Sequence, residues 1–382
     1  PLQPGTVLVL DEVSQTSTRD AETVLAAVAA CPGGQLWVLG DPRQGQPVLA
    51  GGLAHHLATL TSSGRIPAAT LVENRRQVDP HDREALRLLR AGRPGESQTI
   101  RTEHGWEHDC GSPGASRDGL VQAALADMIE HEPANVAVLC VSHVDAEELA
   151  DRIRHHLAAN DVIHGPALEG AGWAGSRFYQ QGDRVLFHTR CGGRSTGIVN
   201  GTTGTVLAAR PAGLTVRLDD GTVGSKVDVN TEFVQGTRAD GSPNLSHAWA
   251  RTIDGAQGGT WRVAHLLGTP ALDQYRGYVG QSRSQHPTHT WNTTPAPVVD
   301  HGGVPADQRD PAEHVVAALT RTPDTSLAAT SDPYALDRHL QELIAVHQAV
   351  LADRPPDRSV QLILWETAVR DARQHHAEAM HR

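Results

Sequence analysis

Asp11 and Glu12 stand side by side at the end of an apolar run, residues 6–10, in the stretch LVLDEVSQTS. Adjacent carboxylates at a strand end suit nucleoside triphosphate hydrolysis. One holds Mg2+ through its water shell; the next takes a proton from the attacking water. The same pair also suits a plain helix N-cap at Asp11, so on its own it leaves the question open. The pattern returns in WVLGDPRQGQPV, where an apolar run ends in Gly40-Asp41 and Gln44 follows. A side-chain amide at that place could touch a γ-phosphate and register its loss. In LVENRRQ (71–77) an arginine could reach a phosphate. Two further stretches, HAWARTIDGAQGGTWRVAHLLG (247–268) and YRGYVGQSRSQ (275–285), complete the set, with Arg283 just before another apolar run. The plainer reading of each arginine is a surface ion pair, which is worth little.

These groups need a scaffold, and the surrounding residues predict one. Residues 5–10 and 35–39 read as buried strands, with a helix over 21–30 (AETVLAAVAA) between them. Strand–helix–strand is the mark of a parallel sheet covered by helices, and ligands sit at the carboxyl ends of its strands. A second α/β unit begins near Asn135: a strand over 136–142, a helix capped by Ser142 or Asp145 and running to His156, then strands over 263–268 and 288–292. Between them the texture changes. Residues 182–236 form short alternating runs split by Gly and Asn, which predicts small hairpin-built antiparallel β structure, an SH3-like barrel inserted in the second α/β domain. Segments 94–118 and 165–176 are rich in Gly, Ser and Pro and read as mobile loops. From Pro333 the pattern is helical, with Leu336, Leu340, Leu343, Ile344 and Leu351 on one face.

Bulk properties set outer limits. The chain has 382 residues, a net charge of −11 and four scattered cysteines without a CxxC pair. It is long enough for two or three domains. No apolar run approaches the ~20 residues of a membrane helix, and no signal-peptide pattern occurs, so the reading is a reduced, cytoplasmic protein without membrane insertion. The acidic balance gives no hint of nucleic acid, although only a local basic groove is needed for that. The densest group of metal-ligand types, His104, His108, Asp109 and Cys110, lies in what reads as a loop, and a metal there is disfavoured.

Taken in order, the five stretches resemble motifs II, III, IV, V and VI of superfamily-1 helicases. They are most similar to the RecD-like branch and, within it, to the helicase half of conjugative relaxases of the TraA/TrwC (MobF) type. The resemblance spans roughly residues 1–293. It implies tandem RecA-like parallel-sheet domains, the first incomplete, with the inserted SH3-like barrel and a helical C-terminal tail. The implied boundaries are 1–73 for the first motor domain, 74–177 with 243–294 for the second, 178–242 for the insert, 295–332 for a linker and 333–382 for the tail. It implies ATP and Mg2+ as cofactors, single-stranded DNA as partner, and relaxosome proteins as further partners. Asp11 would coordinate Mg2+, with Asp41, Gln257 and Gly258 also at the nucleotide. Glu12 would activate water, and Gln44 would sense the γ-phosphate. Arg76 and Arg283 would neutralise charge on the transferring phosphoryl group. Thr252 and Thr260 would contact the DNA backbone.

The chain departs from the family pattern in places. The usual His-Lys before Ala-Gln-Gly is Asp254-Gly255, the Leu-Pro-Pro after motif III is Gly45-Gln46-Pro47, and the basic residue closing motif VI is Gln285. Motif I, GxxxxGK[ST], does not occur. The one lysine, Lys226, lies in GTVGSKVDV inside the predicted β insert and does not fit it. The expectation is therefore the C-terminal piece of an ATP-dependent 5′–3′ helicase that hydrolyses no ATP by itself. A non-catalytic DNA-binding module built on a helicase fold is the alternative, and an unrelated Mg2+-dependent phosphohydrolase would leave four of the five stretches unexplained.

Overall fold

The computed structural model describes residues 2–44, 53–71, 73–192, 198–219, 226–293 and 311–322. The chain divides into two compact units, 1–70 with 324–382, and 71–323. The predicted helical tail from Pro333 lies outside the described residues, as does the Gly45-Gln46-Pro47 departure.

In the first unit, β1 (Val7–Leu10) and β2 (Gln35–Val38) pair in parallel, with Val7 beside Gln35 and Leu10 beside Val38. The crossover is α1 (Thr18–Ala29), and α2 (Leu53–Ser62) follows β2. Helix α1 starts three residues before the predicted 21–30 because Ser17 caps it: its Oγ accepts the Asp20 N–H at 3.1 Å. One expectation fails here. The strands alternate between half-buried and exposed positions rather than being fully buried, leaving Val7, Val9 and Trp37 49%, 53% and 59% exposed. With α1 on one face, the pleat turns every second apolar side chain to the other.

The second unit opens with α3 (Pro80–Arg90), α4 (Pro94–Glu103), β3 (Glu107–Asp109) and α5 (Pro113–His131). Next come β4 (Val136–Cys140), α6 (His143–Ala159), β5 (His164–Gly172), β6 (Gly175–Gln181), β7 (Arg184–Phe187), β8 (Thr203–Arg210), β9 (Gly213–Leu218) and β10 (Lys226–Asn230). The chain continues through α7 (Thr231–Gln235), β11 (Leu245–His247), β12 (Arg251–Thr252), β13 (Val263–Gly268), α8 (Gln274–Gln281), β14 (His289–Asn292) and α9 (Pro311–Thr320). An all-parallel sheet runs β12-β4-β13-β14-β3. Its central strands β4 and β13 are buried at every residue, as continuous apolar runs demand. The described residues of segment 182–236 are antiparallel as read and, with β11, form a sheet in the order β10-β9-β8-β7-β11; its core includes Phe187, Val206 and Val216, together with Tyr179 of β6 and Leu245 of β11.

The loops expected at 94–118 and 165–176 are ordered elements instead. Pro94 and Pro113 occupy first-turn positions of α4 and α5, and Ser112 caps α5 by accepting the Ala115 N–H at 3.2 Å. Pro and Ser, read as loop composition, are here helix-start chemistry. Segment 165–176 falls in the β5–β6 hairpin, where glycine serves close approach: a Cβ on Gly170 would lie 2.7 Å from Tyr179 Cε2. The expected linker contains α9. Leu319 is buried, and a Cβ on Gly277 of α8 would come within 2.1 Å of its Cδ2. Gln274 N–H donates to Arg321 O at 2.9 Å, and the Arg321 guanidinium donates to the carbonyls of Pro270 and Leu272. Helix α9 is thus fastened to the start of α8.

Two histidines of the antiparallel region are held neutral by burial. His188, hydrogen-bonded to Ser246 Oγ at 2.8 Å, and His247, bonded to Phe178 O at 3.1 Å, are each lowered from 6.5 to about 4. For His188 the nearby Arg238 adds to the effect of burial. A folded value below the unfolded one means the unfolded chain takes the proton first. This contribution to stability is whole above pH 6.5 and is lost as pH falls from 6.5 towards 4. Thermal melts should therefore drop across that window, and His247→Gln should flatten the drop. An equal slope in the variant would rule out this origin.

Candidate nucleotide and nucleic-acid site

Asp11, Glu12, Asp41 and Gln44 all lie at the carboxyl ends of β1 and β2. The Leu39 N–H donates to Leu10 O at 2.8 Å, and the Val13 N–H returns to Leu39 O at 3.1 Å. The two acidic turns are therefore laced to each other. Glu12 makes this turn in the left-handed region, with φ 50°, and its N–H donates to Asp11 Oδ1 at 2.8 Å. A non-glycine residue there costs about 1–3 kcal/mol, and such strain tends to collect at functional sites. Gly40 allows the approach: a Cβ on it would lie 2.8 Å from Val13 Cγ1. Beyond it, Asp41 Oδ1 accepts the Arg43 N–H at 3.0 Å, and Asp41 O accepts the Gln44 N–H at 3.0 Å. Among the described residues, the Gln44 Oε1 is buried without a hydrogen-bond partner, a condition that costs about 1–3 kcal/mol when nothing meets the acceptor.

In the other unit, three of the five stretches are sewn into one ribbon. Arg76 Nη1 donates to Ser282 O at 2.7 Å. Gln77 Nε2 donates to both Ser282 O (3.1 Å) and Ser284 O (2.9 Å), and the Val78 N–H reaches Gln285 O at 2.9 Å. On the far side, the Trp261 N–H donates to Arg283 O at 3.0 Å and the Gln285 N–H to Trp261 O at 2.9 Å. Arg283 follows α8 and is 2% exposed; its Nε donates to Val279 O and its Nη2 to Ser282 Oγ, both at 3.1 Å. Gln77, itself 3% exposed, is the residue that the sequence reading passed over. It stands in the same LVENRRQ stretch, as an uncharged neighbour of Arg75 and Arg76. Arg75, next to Arg76, is exposed and paired with Glu73 at 2.7 Å.

The loop after β12 carries the remaining candidates. Thr252 is buried, and its Oγ1 accepts the Gly255 N–H at 3.1 Å, so its hydroxyl braces the loop. Gln257 follows a short 3-10 turn, Gly258 has φ +77°, and Thr260 is exposed. Asp254, which replaces the family's usual residue, faces Arg276 at 3.4 Å, and burial pushes its carboxyl up against that guanidinium. Arg276 also holds Asp273 at 3.0 Å. The departure is thus answered by a local partner. Arg251 lies 4.9 Å from the centre of the Trp261 ring, and Trp173 stacks on His143 at 3.5 Å. His104, His108, Asp109 and Cys110 do not converge: His104 stacks between His81 and Trp106, while His108 bonds His289 at 2.9 Å.

Comparison with known proteins gives the class first. The fold is similar to that of Pif1 helicases. Pif1 from Bacteroides bound to ssDNA has a TM-score of 0.50 at 17% identity, covering 75% of this chain and 71% of that one. Pif1 helicase from Candida albicans has a TM-score of 0.50 at 18% identity, covering 75% and 72%. The AAA domain family matches residues 1–112. The sequence relatives are more particular: the chain is similar to TraA conjugal transfer proteins. A probable conjugal transfer protein TraA of Sinorhizobium fredii (strain NBRC 101917 / NGR234) is 25% identical over 289 residues, 74% of this chain and 24% of that protein. TraA of Rhizobium radiobacter is 26% identical over 287 residues, again 74% and 24%. The chain spans about a quarter of the length of these relatives. Among the described residues, no helix is long and apolar enough to cross a membrane.

Proposed function

We propose that this chain is a portion of an ATP-dependent 5′–3′ DNA helicase or translocase belonging to a conjugative relaxase, working in the cytoplasm with single-stranded DNA and relaxosome proteins. The observation that supports it most is the ribbon joining residues 76–78, 261 and 282–285, because it ties the motif IV, V and VI segments into one piece. In this reading Asp11 holds Mg2+, with Asp41 beside it, and Glu12 accepts the proton of the attacking water. Gln44 offers its Oε1 to that water and its amide N–H to the γ-phosphate of ATP. Arg76 and Arg283 neutralise the phosphoryl group in transfer. Gln257 and Gly258 contact the nucleotide, and Thr252 and Thr260 the DNA backbone. The antiparallel region is read as an SH3-like insert over 178–242, between the two parts of a second motor domain, 74–177 and 243–294.

The test is binding of fluorescent single-stranded DNA. Affinity should be modest, insensitive to sequence, and should fall with salt at a slope of about −0.7 per phosphate contacted. Tight, salt-indifferent binding to one duplex sequence would replace this reading with a specific regulator. A non-catalytic single-strand-binding module is the second reading; the chain's lysine opens β10 of the antiparallel sheet and no phosphate-binding loop. Joining the chain to a P-loop segment separates the two, since only the motor reading then predicts DNA-stimulated ATP turnover.

A further inference from the structure

Away from the motif segments, the end of α5 gathers a different set of groups. Asp127, Glu130 and His131 are spaced i, i+3, i+4, which puts them on one helix face. Among the described residues, these three each offer a ligand atom, all within 4.8 Å of one another. Helix α5 ends at His131. Two carboxylates in the last turn oppose the negative end of the helix dipole, where a cation is favoured. The Glu130–His131 contact, 3.6 Å across an exposed carboxylate, relieves this only weakly.

What lies behind Asp127 makes the group more than a surface cluster. His265 of β13, 2% exposed, reaches Asp127 Oδ2 from Nε2 at 2.7 Å. Its other ring nitrogen, Nδ1, accepts the indole N–H of Trp291 at 3.2 Å. Indole can only donate, so Nδ1 carries the lone pair and the proton sits on Nε2, aimed at the carboxylate. The ring is thereby locked, and Asp127 is held in place by a buried donor while its remaining lone pairs stay available. A carboxylate fixed from behind by a neutral, tautomer-defined histidine is the outer support that metal-binding carboxylates use.

We propose that Asp127, Glu130 and His131 bind one divalent first-row transition-metal ion, supported by the His265–Trp291 pair. One imidazole and two carboxylates suit Zn2+ or Co2+ better than Mg2+ or Ca2+, which favour oxygen alone. Water completes the shell. The site abuts the segment carrying Arg283: the His131 ring lies parallel to that of His286, with centroids 6.5 Å apart.

The experiment uses the full 382-residue chain stripped with a chelator, then titrated with Zn2+ by calorimetry and with Co2+ by visible absorption. One equivalent should bind at micromolar metal, with Co2+ giving d–d bands. Glu130→Gln, on a side chain 73% exposed and so harmless to the fold, should weaken this site at least about tenfold, and His131→Ala should remove it. His265→Gln, which touches no ion, should also weaken it by about 10- to 100-fold. Glu103→Gln, exposed elsewhere on the chain, should leave it unchanged. No uptake of micromolar Zn2+ by the parental chain, or a tightest site that persists in both Glu130→Gln and His131→Ala, overturns the proposal.

Discussion

Replacing Arg283 by alanine should cut ATP turnover by at least about 100-fold once the chain is joined to a P-loop segment and hydrolyses ATP; an arginine acting on transition-state charge is worth on the order of 10³ or more. Single-strand affinity should stay within a few-fold, because the proposed DNA contacts come from other residues. Arg283 is 2% exposed and donates to Val279 O and Ser282 Oγ, so its loss could also loosen the fold. Melting temperature must therefore be read beside kcat, and Arg283→Lys, which keeps a charge but not the planar fork, serves as a second variant. Arg276 is the control. It is 38% exposed and bridges Asp254 and Asp273, carboxylates outside the proposed phosphate contacts, so Arg276→Ala should turn over ATP near the parental rate. If Arg283→Ala, still folded, hydrolyses ATP at that rate too, the motif VI role is wrong.

Removing Arg101 should unfold the second unit far more readily than any surface change. Arg101 is fully buried, with Nε on Glu107 Oε1 at 2.5 Å, Nη2 donating to Thr288 O and Nη1 3.6 Å from Asp82 Oδ1. Asp82 is equally buried; desolvation raises its carboxyl to about 6 even with Arg101 opposite. Taking away one member of such a group leaves uncompensated buried charge and costs about 3–5 kcal/mol. Arg101→Leu should show this as a lower urea midpoint at pH 7.5. Adding Asp82→Asn should restore part of it by deleting one stranded charge. A loss below about 1 kcal/mol, the range of ordinary substitutions, would mean that the group reorganises freely.

What could be read from the sequence follows the range over which each signal acts. The β4, β13 and β14 strands and the Ser142 cap of α6 stand close to where the residues put them, because apolar runs and caps are set by neighbours in sequence. Helices α4 and α5 were missed because Pro94, Ser112 and Pro113 belong equally to loops and to helix starts. The exposure of Val9 and Trp37 was missed because an apolar run does not say how many of its faces are covered. Gln77 could not be singled out: its importance comes from two carbonyls more than 200 positions away. The acidic turns at Asp11 and Asp41, by contrast, needed only the rule that parallel sheets work at their carboxyl ends.

The fastening of α9 onto α8 has a mechanical consequence. Leu319 fills the space that Gly277 leaves open, and Arg321 grips the carbonyls of Pro270 and Leu272 just before α8 begins. A pull applied at Thr322 enters at the N-terminal end of the helix whose other end leads into Arg283. Tension applied at Thr322 is felt on the arginine's own helix before it reaches the sheet.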